Sequence, residues 1–221
     1  MKHRGDPMPN LNISDDKSVE IYANNTKAIL IIKSTITGNI VRFPAFLTDF
    51  SQTFSSNWST EDVYGRNDPI ATFQSTRRTI SVGFNVPAAT QEGAKDNLNK
   101  CSNLIKMLYP GYSKSLSGFG NVISKSPLVK VKFANLIVSP ISTADEGGDG
   151  LLGWIDNLSW NPVLDMGMFT MTGNFYPKVI SLSFNFNVLH QTELGQDKDD
   201  NDSSPLGDWL GDQKGFPFGG F

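Results

Sequence analysis

Cysteine and histidine are almost missing from this chain. Cys101 is the only cysteine among 221 residues, and His3 and His190 are the only histidines. One thiol excludes an internal disulfide framework and any multi-cysteine zinc site. Two histidines leave little for metal chemistry or for a Ser/His mechanism. A basic surplus is missing too: 19 Lys and Arg stand against 22 Asp and Glu, a net charge of -3. That balance argues against a general nucleic-acid or anionic-membrane binder. The longest aliphatic run, Ala28 to Ile32, is far too short to span a membrane. The opening Met1-Lys-His-Arg-Gly-Asp-Pro7 has no apolar core, so no signal peptide is expected. The expectation is a soluble protein made in the cytoplasm, not an enzyme, with no metal and no cofactor.

What is present points to β structure. A chain of 24.3 kDa can bury a core without staples. Twenty Gly, 12 Pro and 15 Phe lean toward strands and turns rather than a helical bundle. Residues 1–26 are polar, with early Pro and Gly breaks, and read as an N-terminal arm. Residues 27–190 read as one β domain. Residues 191–221 read as an acidic linker, Gln196 to Ser204, followed by an aromatic arm carrying Trp209, Phe216, Phe218 and Phe221.

Within the domain, Ala28 to Ile32 suits a buried strand. Phe46, Phe50, Phe54 and Trp58 fall at even positions, which places them on one face of an extended chain. Residues 59–69 form a turn-rich link around Gly65 and Asn67-Asp68-Pro69. Arg78 to Val86 alternates cleanly, with Ile80, Val82, Phe84 and Val86 pointing one way. The only convincing helix runs from Thr90 to Leu108, with Ala94, Leu98, Cys101, Leu104, Ile105 and Leu108 at helical spacing and Pro110-Gly111 as the stop. Cys101 lies on its apolar stripe, as a buried small thiol would. Leu128 to Val138 alternates, with a phase shift near Ala134-Asn135 that predicts a bulge. Trp154, Leu158 and Trp160 share one phase of a strand ended by Pro162. Met166 to Phe175 reads as a strand or hairpin arm, and Lys178 to Val188 as a further clean strand. Ile80–Val86 and Ile180–Phe186 echo each other, either by convergent patterning or because they hold similar places in one sheet system.

No motif carries chemistry convincingly. Gly148-Asp-Gly-Leu-Leu-Gly153 has dinucleotide-binding spacing, but an acidic loop precedes it and a Trp-containing strand follows. Asp197, Asp199, Asn201 and Asp208 loosely echo a calcium loop, but Asp202 replaces the turn glycine, so a solvated linker is the better reading. No acid pair stands at a recognisable catalytic spacing. Arg77-Arg78 and Lys130-x-Lys132 read as solvated or interfacial charges. Arg66, in a turn, is either a structural or intersubunit ion-pair residue or a solvated arginine.

Trp58-Ser-Thr-Glu-Asp-Val-Tyr-Gly-Arg-Asn-Asp-Pro-Ile70, Thr79-Ile-Ser-Val-Gly-Phe84 and the helix ending Leu108-Tyr-Pro110 together resemble baseplate proteins of contractile-tailed bacteriophages, of the tail-tube-like kind that joins the central hub to the tube. Pro127 to Phe133, Gly150 to Gly153 and Tyr176-Pro-Lys178 extend the resemblance, which covers Phe46 to Leu189. It implies a mainly β, tail-tube-like antiparallel sandwich or barrel with one packed helix and a long projecting hairpin or loop. It also implies a homo-oligomer, a hexameric ring in the virion baseplate, synthesised in the host cytoplasm. Its partners would be hub, wedge and tail tube proteins, and DNA would cross the channel without sequence-specific binding. Interface residues are then expected at Trp58, Tyr64, Arg66, Asp68, Trp209, Phe216, Phe218 and Phe221. The alternatives are a carbohydrate-binding or cell-wall-lytic β-sandwich module, or a tube component of a phage-derived injection machine.

Overall fold

A computed structural model describes residues 29–44, 46–114, 121–139, 150–171, 173–191, 194–197, 208–210 and 216–217. The expected N-terminal arm, the loop at 145–149, and Phe218 and Phe221 lie outside the described residues. In chain order the elements are β1 (Ile29–Ser34), β2 (Ile40–Pro44), β3 (Phe46–Glu61), β4 (Ile70–Pro87), α1 (Gln91–Lys106), β5 (Gly111–Lys114), β6 (Asn121–Lys125) and β7 (Val129–Phe133). There follow β8 (Leu151–Pro162), a single 3-10 turn, β9 (Met168–Met171), β10 (Asn174–Pro177), β11 (Val179–Val188), β12 (Gly195–Asp197) and β13 (Asp208–Leu210). The protein is mainly β with one helix among the described residues.

Seven strands form one antiparallel sheet in the order β2-β1-β7-β8-β11-β4-β3, and three small hairpins stand outside it. The alternation of β1, β4, β7 and β11 turns one face of each strand inward. Leu30, Ile32, Ile80, Val82, Phe84, Val129, Val131, Ile180, Leu182, Phe184 and Phe186 are buried in a single cluster. The sheet curls until its two wings meet. Phe43 of β2 lies 5.5 Å, ring to ring, from Phe84 of β4, although four strands separate them in the sheet.

The two echoing segments are direct neighbours. Ile80 pairs with Phe186, Val82 with Phe184, Phe84 with Leu182 and Val86 with Ile180. Their shared pattern therefore reflects two strands that build one face together. On the other face Thr79 donates to Asn187 Oδ1 at 3.0 Å and Ser81 donates to Asn185 Oδ1 at 2.8 Å, a polar ladder across the same pair.

Helix α1 follows the sequence reading in place and cap, but its buried stripe is Ala94, Asn97, Cys101 and Leu104, and Ile105, expected on that stripe, is exposed. Thr90 is extended, and its hydroxyl accepts from the Gly93 N–H at 3.2 Å. Asn97 donates to the Pro87 carbonyl at 3.1 Å, tying the helix to the end of β4. Cys101 is buried, and desolvation pushes its thiol up to about 11 against the lowering pull of a hydrogen bond with Trp160. A thiol held that far into its protonated form is an inert core residue.

Three further sequence expectations need correction. Phe46 does not share a face with Phe50 and Phe54. The β3–β4 register slips between Leu47 and Asp49, so Phe46 opposes Asn85 while Leu47 opposes Phe84 and Phe50 opposes Val82. The extra residue, Thr48, inverts the alternation. Trp154 likewise does not share a phase with Trp160. The β8–β11 register slips at Asn157, whose φ is 53°, leaving Trp154 opposite Asn187 on the polar face and Trp160 opposite Leu182 on the core face. The shift near Ala134 is a turn rather than a bulge: Ala134 has φ 44°, and Phe133 and Ile137 exchange backbone hydrogen bonds across it.

Gly153 is required by packing. A Cβ there would sit 2.8 Å from the Phe186 ring and against the backbone of Asn187. The third glycine of the dinucleotide-like motif thus lies in a sheet strand beside β11, outside any strand-to-helix turn.

Candidate functional site

β4 outruns its inner neighbour. β11 pairs with β4 only as far as Thr79, so among the described strands Ile70 to Arg78 has β3 alone as a partner. The result is a two-stranded ribbon, roughly 25 Å long at about 3.4 Å per residue, ending in the loop at 62–69. Such a ribbon is marginal in water by itself. Its distal part is nonetheless apolar: Trp58 and Phe73 are over half exposed, and Ile70 and Val63 are exposed. Trp58 and Phe73 meet edge-to-face at 5.3 Å, placed opposite each other by a second register slip beyond Asn57. Among the described residues β3 is also the last strand of the sheet, and its 16-residue outer edge has no strand partner there. A long open edge next to exposed aromatics is a pairing surface that isolated proteins avoid.

The expected interface residues fall into groups. Trp58 lies on the ribbon, and Tyr64, Arg66 and Asp68 are exposed in its terminal loop. The Arg66 N–H donates to the Val63 carbonyl at 3.2 Å, closing a tight turn with Gly65 at φ 89°. Trp209 lies in β13. Phe216 sits far from the loop in space, at the base of the ribbon.

That base is built around a residue the sequence reading passed over as a solvated or interfacial charge. Arg78 is 2% exposed, whereas Arg77 is on the surface. The signal was in the parity: Arg78 shares its phase with Ile80, Val82 and Phe84, so a continuous strand drives it inward. The Arg78 Nη2 donates to Gln52 Oε1 at 2.8 Å and Nε donates to the same oxygen at 3.2 Å. The Gln52 amide in turn donates to the Leu136 carbonyl at 3.4 Å, across the curled sheet. The guanidinium carbon lies 5.6 Å from the Phe54 ring centre and 5.6 Å from that of Phe216. Nη2 also donates to the Pro217 carbonyl at 3.1 Å. Phe216 meets Phe54 at 6.3 Å and His190 at 6.2 Å, both near edge-to-face.

Burial pulls the Arg78 pKa down to about 10, which still leaves it cationic at neutral pH. Burial first, and the Arg78 charge second, hold His190 below its ordinary range, so it stands neutral beside the guanidinium. A cleft of about 340 Å³ opens alongside, lined by Thr76, Arg77, Arg78, Trp154, Asn187, Val188, Leu189 and His190. It offers a fixed cation and aromatic edges, and among the described residues there is no cluster of groups that could hold a metal. Asp197 and Asp208, from the calcium-like stretch, oppose each other in β12 and β13, while Asp199 and Asn201 lie outside the described residues.

No protein-family model and no curated protein matches the chain. Among solved structures it is similar to SPP1 Dit (gp 19.1), a paradigm of the hub adsorption apparatus in phages that infect Gram-positive hosts, at 11% identity with a TM-score of 0.36. The match covers 75% of this chain and 52% of that one, so this chain spans about half of the Dit protein's length. At that distance the likeness establishes neither a shared family nor a shared function.

Proposed function

We propose that this protein is a structural component of a bacteriophage tail, a ring-forming subunit that joins the baseplate hub to the tail tube around the DNA channel. The observation that carries the reading is the ribbon of β3 and β4, which exposes Trp58 and Phe73 beside an open strand edge. An arrangement that is marginal alone becomes stable when a second copy pairs with the edge and covers the rings. Repeated head to tail around an axis, such contacts close into a ring. The polar face supports the same role. Ser51, Thr53, Ser81, Ser183 and Asn185 share it on three adjacent strands, a neutral polar stretch bordered by Asp49 and Arg77, which would let DNA slide past without binding. In this reading the protein catalyses nothing and takes no cofactor. Its partners are copies of itself and the hub, wedge and tube proteins of a contractile tail. Electron microscopy of the concentrated protein and of tails that contain it is the test. Closed sixfold rings, or a ring layer containing this chain, are the expected result; tails without such a layer would refute it.

A further inference from the structure

The segment Phe216–Pro217 sits on a receptor built by other elements. Gln52 and Phe54 come from β3, Arg78 from β4, and His190 follows β11. Two N–H bonds to Gln52 and the bond from Gln52 to Leu136 fix the guanidinium before any tail arrives. Among the described residues no carboxylate neutralises Arg78, and the tail supplies the missing acceptor as the Pro217 carbonyl. The occupant matches the receptor chemically. One ring wedges between Phe54 and His190, and a proline, which has no N–H to satisfy, presents its carbonyl to the cation.

The tether is far longer than the gap it closes. The Phe216 ring lies 6.2 Å from that of His190, yet 25 residues separate the two in sequence (191 to 215). Gly195–Asp197 and Asp208–Leu210 pair with each other inside that stretch, so the nine residues outside the pairing, 191–194 and 211–215, set a reach of about 30 Å. Its portion from Gln196 to Ser204 contains no apolar side chain. That reach exceeds the gap to its own receptor several-fold, so in an assembly the same receptor on an adjoining copy competes for the segment. The receptor also sits where the ribbon leaves the sheet, so a tail arriving from a neighbour would clamp the base of the element that makes the lateral contact.

We infer that the Arg78 receptor binds the Phe216–Pro217 segment of a second copy of this chain, so that adjoining subunits are strapped together by exchanged tails. The inference rests on the reading that copies of this chain assemble. The test uses the full chain with the photoreactive aromatic benzoyl-phenylalanine at position 216, mixed with an isotopically labelled wild-type chain and irradiated at rising concentration. Mass spectrometry then assigns each adduct to the same chain or to the other. Cross-chain adducts at Phe54, Arg78 or His190 that grow with concentration are expected. They should fall at least tenfold, by order of magnitude for a lost buried charged partner, when the labelled chain carries Arg78→Gln. Phe54→Leu, at a half-exposed position, provides a second variant that leaves the core alone and should lower them several-fold. Same-chain adducts alone at every concentration overturn the exchange, whether or not rings are seen by microscopy. Cross-chain adducts without rings uphold the exchange and overturn the closed ring instead.

Discussion

Arg78 is where the smallest change should have the largest consequence. Its guanidinium bridges Gln52 and Pro217 and lies over two rings, so no single point charge can replace it. Arg78→Ala should lower stability by about 2 kcal/mol, the scale of hydrogen bonds to a charged group, and Arg78→Lys should recover little of it. Urea denaturation of both variants measures this. His190 next to it gives a pH signature with a definite sign. Its folded pKa lies below the ordinary 6.5 because burial and Arg78 disfavour the imidazolium. On acidification the unfolded chain therefore takes up this proton first, and stability falls as pH drops through 6.5. The loss levels off once pH passes below the folded value. Carboxylates titrate in the same acid range, so the contribution of His190 is the difference between the wild type and His190→Gln, compared by denaturation at pH 7.5 and at about pH 5. At the higher pH that difference should report only the lost ring contact with Phe216, and it should shift in favour of the variant on going to pH 5. Gly153 makes a steric case instead. A methyl group there meets the Phe186 ring and the Asn187 backbone, and Gly153→Ala should cost about 2–3 kcal/mol.

Elements were legible in the sequence wherever the signal was local. The α1 helix is fixed by its 3.6-residue spacing and by Thr90 as its cap, and the structure places it at Gln91–Lys106. The inner half of β4, Arg78 to Val86, and β11 were plain from alternation, which needs no knowledge of a partner, whereas the outer half of β4 from Ile70 was not read as a strand. The bulges at Thr48 and Asn157 were not, because a bulge is a relation between two strands and exists only once the register is set. For the same reason Phe46 and Trp154 were assigned to the wrong faces. The candidate site was half legible. The exposed aromatic stretch around Trp58 was visible as a run of Phe and Trp, whereas the Arg78 receptor depends on a tail arriving from a distant part of the sequence. At this scale the ribbon can be separated from the core by mutation. Phe84→Asp places a charge among Phe43, Phe184 and the rest of the core and should abolish cooperative folding, seen as loss of the thermal transition. Trp58→Ala removes an exposed edge-to-face pair and should change monomer stability by only about 1 kcal/mol. Its effect should fall on assembly, measured by light scattering at increasing concentration.

For the whole molecule, the sheet divides its two faces between two tasks. The inward face holds the curled wings together through Phe43, Phe84 and Phe184. The opposite face of β3, β4 and β11 carries hydroxyl and amide groups that satisfy one another, as Thr79 with Asn187 and Ser81 with Asn185, bordered by Phe46, Asp49 and Arg77. A face that meets its own hydrogen-bonding needs and carries little charge has little affinity for a polyanion, which is what a DNA conduit requires. Charge on this face is therefore the property to change. Ser51 and Ser183 are exposed there, so lysine at either position should be accommodated with little effect on folding. The double variant Ser51→Lys and Ser183→Lys adds two cations per subunit, which a ring would multiply around a common channel. Assembled wild-type protein should leave duplex DNA unshifted in a gel at physiological salt. The assembled double variant should retard it, and the retardation should weaken steeply as salt is raised, because each neutralised phosphate releases a counterion. If the same lysines gave no retardation in assembled rings, the polar face would have to look away from the channel, and the ring would need to be built with the ribbon pointing to a different side.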